Sequence, residues 1–381
     1  MALDVGVLGY RFMGTAHANA FARLPMFFPD TPDVTRDVLI GRDEDALGDA
    51  RTRLGFDRTA TDWRSVVDEV DVFYNLGPNF LHAEPAIAAL EAGVSVFSEK
   101  PLAATLDGAT EMAAAARSAG VPTACGFNYR FVPAIRYARE LIQSGTLGDI
   151  RTFRGRYLQD WLVDPEAPWS WRLDAELAGS GALGDLGAHT VDLARFLVGD
   201  APGGGRIERV SGHLRTAVTE RPVEGPAGET RPVTVDDEYT AQLAFEDGAI
   251  GLLEGSRIAP GHKNDHTIEI HGSEGSLRFS LERLNELEML GPDDRGYETV
   301  LVTDETDPYI DHWWPPGHVL GWEHTFVHEN ASFLRAVAEG DAYEPSFADG
   351  LAAQHVLAAI EASDQSGSWE RVTETSESSQ A

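Results

Sequence analysis

Lysine is nearly missing from this chain of 381 residues, standing only at positions 100 and 263. Cysteine is scarcer still: Cys125 is alone, which excludes an internal disulfide framework and any multi-cysteine zinc site. A solitary thiol reads as a small hydrophobe rather than a nucleophile. No stretch approaches the roughly 20 unbroken apolar residues that cross a bilayer. Positive charge is short overall, with 30 basic residues against 62 acidic ones and a formal charge of −32 spread along most of the chain. A field of that sign repels nucleic acid and anionic membranes, and neither is expected as a partner. At molar salt the screening length falls to about 3 Å and most of the self-repulsion disappears, so the composition is that of an acidic, halophilic protein. The first residues run straight into a strand-like segment without a signal-peptide pattern; a cytoplasmic protein is expected.

What is present is an ordinary apolar content of 43% and enough length for two domains. Short apolar strands at Val5–Leu8, Val38–Ile40, Val70–Tyr74, Val94–Phe97 and Pro122–Cys125 alternate with helical segments at Met13–Ala22, Asp43–Leu54, Ala83–Ala92 and Leu106–Ala119. Such alternation predicts an α/β domain with a doubly wound, Rossmann-type parallel sheet. Past about residue 128 the pattern changes. A helix at Ala134–Gln143 and an aromatic-rich segment at Tyr157–Trp171 precede strand-like runs from Ile207 onward, among them Tyr239–Phe245, Ala249–Arg257, His266–His271 and Ser276–Phe279. Turn pairs such as Asp247-Gly248 between them predict a mostly antiparallel, open-faced sheet in an α+β domain. Residues 217–234 read as a long exposed loop, helices return at Glu323–Glu339 and Phe347–Ser363, and the Ser/Glu-rich tail from Thr373 reads as disordered.

Lys100 lies in Glu99-Lys100-Pro101, directly after a buried-type strand. The carboxyl edge of such a sheet is where ligands bind, and an ammonium there offers a donor, a point charge or a transferable proton. The first strand leads into Gly9-Tyr10-Arg11-Phe12-Met13-Gly14, with Thr15-Ala16-His17 following. That is a degenerate dinucleotide turn: Gly9 for the tight bend, Gly14 for helix–strand packing, and a helix N-terminus for a diphosphate. Arg11 stands where the middle glycine is expected. The second strand ends in Ile40-Gly41-Arg42-Asp43. Glycine and arginine at that tip leave room and charge for a 2′-phosphate, with Asp43 the competing ribose contact, so NADP is favoured over NAD. Asn75 through His82 follows the third strand, and its Pro78-Asn79 turn suits a wall beside a cofactor. In Gly179–His189 a helical reading sets Asp185 and His189 four apart on one face, with Asp192 three further. Histidine is the natural base for an alcohol proton near neutrality. The twelve histidines form no His-Glu-x-x-His arrangement, and no metal is expected.

Together these motifs resemble the glucose–fructose oxidoreductase/inositol dehydrogenase/MocA family over nearly the whole chain. The resemblance rests on the glycine turn with Met13-Gly14 and His17, on Pro78-Asn79-x-x-His82, on Glu99-Lys100-Pro101-Leu102 and on Asp185-x-x-x-His189. Within it, Pro25–Pro29, Tyr157–Trp161, Ser170-Trp171-Arg172 and Gly179–Asp185 are similar to the levoglucosan dehydrogenase type, which oxidises the C3 hydroxyl of an anhydrosugar. The resemblance implies a catalytic group of Lys100, Asp185 and His189, and a cofactor site of Gly9, Arg11, Phe12, Met13, Gly14, Arg42, Asn75, Pro78, Asn79, His82, Glu99, Lys100, Asn128, Trp171 and Arg172. It implies a sugar pocket of Tyr129, Gln159, Trp161, Asp185 and His189. The expected activity is NADP- or NAD-linked oxidation of a secondary hydroxyl of a sugar or cyclic polyol. The alternatives are an aldose 1-dehydrogenase for glucose or xylose, an inositol dehydrogenase, an enzyme whose retained cofactor drives glycoside elimination, and a non-enzymatic sugar or nucleotide sensor. The implied layout is a cofactor domain over 1–128 with a helical segment at 322–372 packed back on it, and a substrate and oligomerisation domain over 129–321, in a homodimer or homotetramer.

Overall fold

The computed structural model describes residues 2–224 and 228–373. The chain divides into two compact units, one comprising Met1–Phe131, His312–Trp314 and Leu320–Leu351, the other Val132–Asp311, Pro315–Val319 and the chain from Ala352 onward.

In the first unit, strands β1 (Leu3–Leu8), β2 (Val34–Ile40), β3 (Arg58–Ala60), β4 (Val72–Asn75), β5 (Ser95–Ser98) and β6 (Thr123–Cys125) form a sheet in the order β3-β2-β1-β4-β5-β6. Every pair is parallel. Helices α1 (Phe12–Phe27), α2 (Glu44–Leu54), α3 (Ala83–Glu91) and α4 (Leu106–Ala119) connect them, which is the expected Rossmann-type architecture. The strand order reverses between β1 and β4, and a reversal of that kind opens a ligand crevice at the strands' carboxyl ends. Two departures from the sequence reading are local. Helix α1 continues past Ala22 through Pro25 to Phe27, because proline in a last turn removes only one hydrogen bond. Strand β3 carries no hydrophobic signal; it is held by its pairing with β2 and by Arg58, which grips Asp37 with Nη2–Oδ2 at 2.7 Å.

In the second unit, α5 (Pro133–Gln143), β7 (Ile150–Leu158), α6 (Ala175–Ala178) and α7 (Ala188–Val198) precede β8 (Ile207–Arg215), β9 (Glu220–Pro222), β10 (Thr230–Pro232), β11 (Glu238–Phe245), β12 (Ile250–Ser256), β13 (Asp265–Gly272), β14 (Ser276–Ser280), β15 (Glu286–Leu290) and β16 (Glu298–Leu301). With Glu370–Arg371 these make a sheet in the order β16-β15-β14-β13-β7-β12-β11-β8 and then that last strand. It is antiparallel except where β7 meets β12. The sequence reading missed β7, the strand on which the sheet turns. Gly155 replaces a core side chain in its middle, since a Cβ there would collide with Thr190 of α7.

Residues 217–234 are not the long exposed loop the composition suggested. β9 and β10 pair as an antiparallel ribbon; residues 225–227 lie outside the described residues, as do residues 374–381 of the expected disordered tail. The anchor is Arg221, fully buried. Its guanidinium donates to the carbonyls of Leu162 and Asp164, each at 2.7 Å, beside a small core of Leu162, Leu173, Val233 and Val235. Turn-forming composition hid a ribbon because one arginine supplies the burial.

The segment entering α7 is also shaped by buried charge. Leu183–Gly187 is a π-helical turn, closed by Ala188 N–H donating to the Leu183 carbonyl, where the sequence reading had a regular helix. The Asp236 carboxylate fixes its start, accepting from Gly181 N at 2.7 Å and Leu183 N at 2.8 Å. A Cβ on Gly181 would collide with the Asp236 carbonyl, and one on Gly184 would lie 2.6 Å from Ser180 Oγ. Ser180 in turn hydrogen-bonds Glu361, whose carboxyl is pushed up to about 7 by burial and by the Asp236 charge.

Two measurements follow from these buried groups. Arg221→Ala strands two buried carbonyls and is expected to cost about 3 kcal/mol, read as a lower denaturation midpoint with amide exchange rising first in the ribbon; an unchanged midpoint contradicts the anchor. For Glu361 the folded carboxyl holds its proton across a window, from about 4.5 to about 7, in which the unfolded one is ionised. Stability therefore falls as pH rises through that window. Glu361→Gln lacks this loss and should gain on the order of 1–2 kcal/mol over the natural protein between pH 5 and pH 8, after discounting for screening, measured by urea denaturation at both values.

Candidate active site

Gly9, at the end of β1, has φ +111, and a Cβ on it would lie 2.7 Å from the Leu76 carbonyl. Gly14, one turn into α1, packs so closely that a Cβ would collide with the Gly9 carbonyl. Arg11 begins the helix with φ −86 and makes no side-chain cap, and no acidic residue stands in the first turn. The missing middle glycine is thereby explained: an L-residue adopts this φ freely, and Arg11 and Phe12 are exposed while Met13 is half-buried. The first N–H groups of α1 have no intrahelical acceptors, and this bare, positively polarised end suits a diphosphate.

At the tip of β2, Gly41 is glycine because the Tyr10 ring fills the space of its side chain. Asp43 accepts from Ala46 N at 3.1 Å as the cap of α2, and Arg42 is exposed. Asn75 and His82 are fully buried. Asn75 Nδ2 donates to the carbonyls of Leu81 and His82, each at 2.9 Å. The His82 ring spans the Pro101 carbonyl, 2.9 Å from Nδ1, and the Gly77 carbonyl, 3.0 Å from Nε2. Burial lowers its pKa against the opposing effect of those two carbonyls, and the ring ties the Pro78-Asn79 turn to the Lys100-Pro101 turn. Pro78 and Asn79 are half-buried.

Glu99, 6% exposed, faces inward. Its carboxylate lies 3.4 Å from His17 Nε2 and 3.3 Å from Lys100 N, while Asn330 meets His17 Nδ1 at 3.0 Å. Tyr74, Phe97 and Phe326 pack edge-on around that imidazole. Lys100 is half-buried after β5, in the turn that Glu99 and His82 brace from either side. Asn128 is buried, its amide donating to Thr325 Oγ1 at 2.9 Å, and Tyr129 is buried beside it.

In the second unit, His189 begins α7 and is 6% exposed, with Asp185 half-buried in the π turn before it. The Tyr157 ring lies 6.2 Å from the His189 ring and is stacked on His266 at 4.4 Å. His266 approaches Thr190 Oγ1 at 3.2 Å, and burial brings its pKa down to about 3. A neutral, stacked imidazole thus backs the ring beside His189. Past the end of β7, Gln159 donates to Asn264 Oδ1 at 2.8 Å, and Tyr157 OH donates to the same oxygen at 2.7 Å. Asp160, its pKa lowered chiefly by a hydrogen bond from Lys263, holds that ammonium at 2.6 Å. Trp161 is 45% exposed, and Arg172 lies over the Trp171 ring at 4.5 Å.

The structure therefore groups Gly9, Arg11, Phe12, Met13 and Gly14 at one helix end, braces Asn75, Pro78, Asn79, His82, Glu99 and Lys100 in linked turns, and associates Gln159 with Asn264 and His189 with Tyr157. Asn264 and Asp236 were not singled out in the sequence; nothing in their neighbours marks them, and only their contacts do. Among the described residues no cluster of three or more potential metal ligands occurs, and no helix is long and apolar enough to cross a membrane.

Comparison with known proteins bears on both units. Residues 3–127 match the model of an oxidoreductase family with an NAD-binding Rossmann fold, and residues 135–278 that of the GFO/IDH/MocA C-terminal domain. Levoglucosan dehydrogenase of Pseudarthrobacter phenanthrenivorans is 40% identical over 98% of this chain and 99% of its own length. A levoglucosan dehydrogenase solved with NADH and levoglucosan superposes with a TM-score of 0.93 at 40% identity, covering 98% of this chain and 100% of its own. An oxidoreductase domain protein from Kribbella flavida gives 0.93 at 48% identity, with coverage of 98% and 100%. With an uncapped glycine-turn helix in a Rossmann-type unit and a histidine just after a π turn in a nine-stranded sheet unit, this chain belongs to the GFO/IDH/MocA family of oxidoreductases.

Proposed function

We propose that the protein oxidises a secondary hydroxyl of a pyranoside, of the levoglucosan kind and at C3, to a ketone with a nicotinamide cofactor. The observation that carries this reading is 40% identity, over essentially the full length of both chains, to levoglucosan dehydrogenase. The residues present fit the cofactor: an uncapped helix end, a glycine at positive φ and a glycine whose Cβ would strike the turn form a diphosphate cradle. Bound there, nicotinamide supplies the acceptor for the hydride that leaves the carbinol carbon.

The protein's own groups handle the proton and the charge. His189 takes the hydroxyl proton, its ring backed by Tyr157. Lys100 donates a hydrogen bond to the reacting oxygen and steadies the negative charge that builds there. Asp185 grips a neighbouring hydroxyl or orients the imidazole. Tyr129, Gln159 and Trp161 line the sugar, and Trp171 and Arg172 cover the cofactor. Asn75 and His82 serve through the turns they brace, and Glu99 and Asn128 likewise through buried contacts. At the tip of β2, exposed Arg42, with Asp43 engaged as the cap of α2, favours NADP. The outward face of the nine-stranded sheet, with Ile250 57% and Leu252 43% exposed, is the surface we assign to association with a second copy. The working compartment is a salty cytoplasm, as the charge of −32 suggests.

The test is a spectrophotometric screen at molar salt that crosses NAD and NADP with levoglucosan, glucose, xylose and inositols, with product analysis. A 3-ketosugar is expected, whereas an acid from an opened lactone would instead support an aldose 1-dehydrogenase. Lys100→Ala and His189→Ala should each lower kcat by about 10²–10⁴-fold; full activity in both refutes the assignment. Arg42→Ala should raise KM for NADP about tenfold and leave that for NAD within threefold, one charged hydrogen bond being worth about that much; equal effects on both would refute Arg42 as the 2′-phosphate contact.

A further inference from the structure

Two side-chain amides, those of Gln159 and Asn264, meet at the hydroxyl of the tyrosine that lies beside the candidate base. Gln159 follows β7, and Asn264 immediately precedes β13. Their backbones are fixed independently of their side chains. Gln159 N donates to the Ser256 carbonyl at 2.8 Å, and its own carbonyl accepts from Ala259 N at 2.9 Å. Asn264 N donates to Glu282 Oε1 at 2.9 Å, which also accepts from Lys263 N at 3.2 Å. Both residues are half-buried. Asn264 Oδ1 accepts from Gln159 Nε2 and from Tyr157 OH, which fills that oxygen's two lone pairs.

This leaves Gln159 Oε1 and the Asn264 NH₂ group turned to no protein partner among the described residues. One is an acceptor and the other a donor, next to each other. Exchanging nitrogen and oxygen in both amides, the usual ambiguity of such groups, yields the same complement of one amide donor and one amide acceptor. A hydroxyl both donates and accepts, so a single hydroxyl satisfies the pair. Tyr157 links the pair to the base: its OH binds Asn264 and its ring lies 6.2 Å from that of His189.

We propose that Asn264 is a specificity-determining residue that, with Gln159, reads one ring hydroxyl of the sugar other than the hydroxyl that is oxidised. The inference rests on the sugar dehydrogenase reading above. It is a statement about binding: the pair holds the ring and takes no part in proton or hydride transfer. An analogue lacking that hydroxyl strands both amide groups, and removing the Asn264 donor strands the hydroxyl. The two losses overlap and do not add.

The probes are levoglucosan and its 2-, 3- and 4-deoxy analogues, with Kd read from tryptophan fluorescence of the full chain and kcat and KM from whichever are oxidised. Asn264→Asp keeps the shape and the acceptor for Tyr157 and Gln159 but removes the donor; Asn264→Ser is the second variant, free of added charge. The natural protein should bind the 2- or the 4-deoxy analogue at least about tenfold more weakly than levoglucosan. Both variants should weaken levoglucosan by a similar factor, leave that analogue within twofold, and keep kcat within threefold. Unchanged discrimination in both variants overturns the pair, as does an equal loss for all four probes or binding of none. Discrimination that vanishes in the variants of a protein that oxidises no sugar upholds the pair and sinks the dehydrogenase reading.

Discussion

The backbone that leads into α7 depends on one buried carboxylate. Asp236 holds the N–H groups of Gly181 and Leu183 and so decides where the turn carrying Asp185 begins. Burial raises its pKa against the opposing effect of those two donors and of nearby Arg257, so the site accepts an expensive group to fix a backbone. The expense is consistent with what the turn does. A π-helical turn is rarely the most stable local structure and recurs at functional sites. Here it is held open from three sides: Asp236 below, Ser180 against Gly184, and the Tyr239 hydroxyl 3.0 Å from where a Gly187 Cβ would stand. Glycine at 181, 184 and 187 reflects crowding by these partners more than any freedom of φ.

Histidines divide by the same logic. His17, His82, His266 and His328 are fully buried, and each has a ring nitrogen close to a fixed partner: Asn330, the Pro101 carbonyl, Thr190 and the Phe131 carbonyl. For His82 and His266 desolvation lowers the pKa. A buried ring held between two segments is a rigid strut. His82 is one, tying the turn after β4 to the turn that carries Lys100, and His17 is another, bearing on the carboxylate next to that lysine. Two residues that carry the family resemblance therefore act through what they position.

Much of the fold was legible because its punctuation is local. Helix α4 runs from Leu106 to Ala119 as read, since Thr105 caps it and Gly120 leaves it in the left-handed conformation; the helix Glu323–Glu339 ends the same way at Gly340. The glycine turn and Lys100 were legible for the same reason. What escaped depends on distant partners. Strand β7 lost its alternation to Gly155, whose side chain would occupy space taken by Thr190. The β9–β10 ribbon looked like a loop because its burial comes from one arginine. Asn264 meets Tyr157 across 107 residues, a separation that no periodicity reports.

Charge and site use different interactions. Many of the ion pairs lie on the surface, such as Lys263 with Asp160, where the lysine side chain is 77% exposed. Salt screens such pairs strongly, and in a chain with a net charge of −32 they are poor instruments for setting a sugar's orientation. The groups that fix geometry are instead screened by burial or carry no charge. The amide pair is neutral, and the π turn is tied to a carboxylate only 5% exposed. Molar salt relaxes repulsion across the surface while leaving these contacts intact. The acidic surface and the neutral amide pair thus respond differently to salt, which screens the first and hardly touches the second.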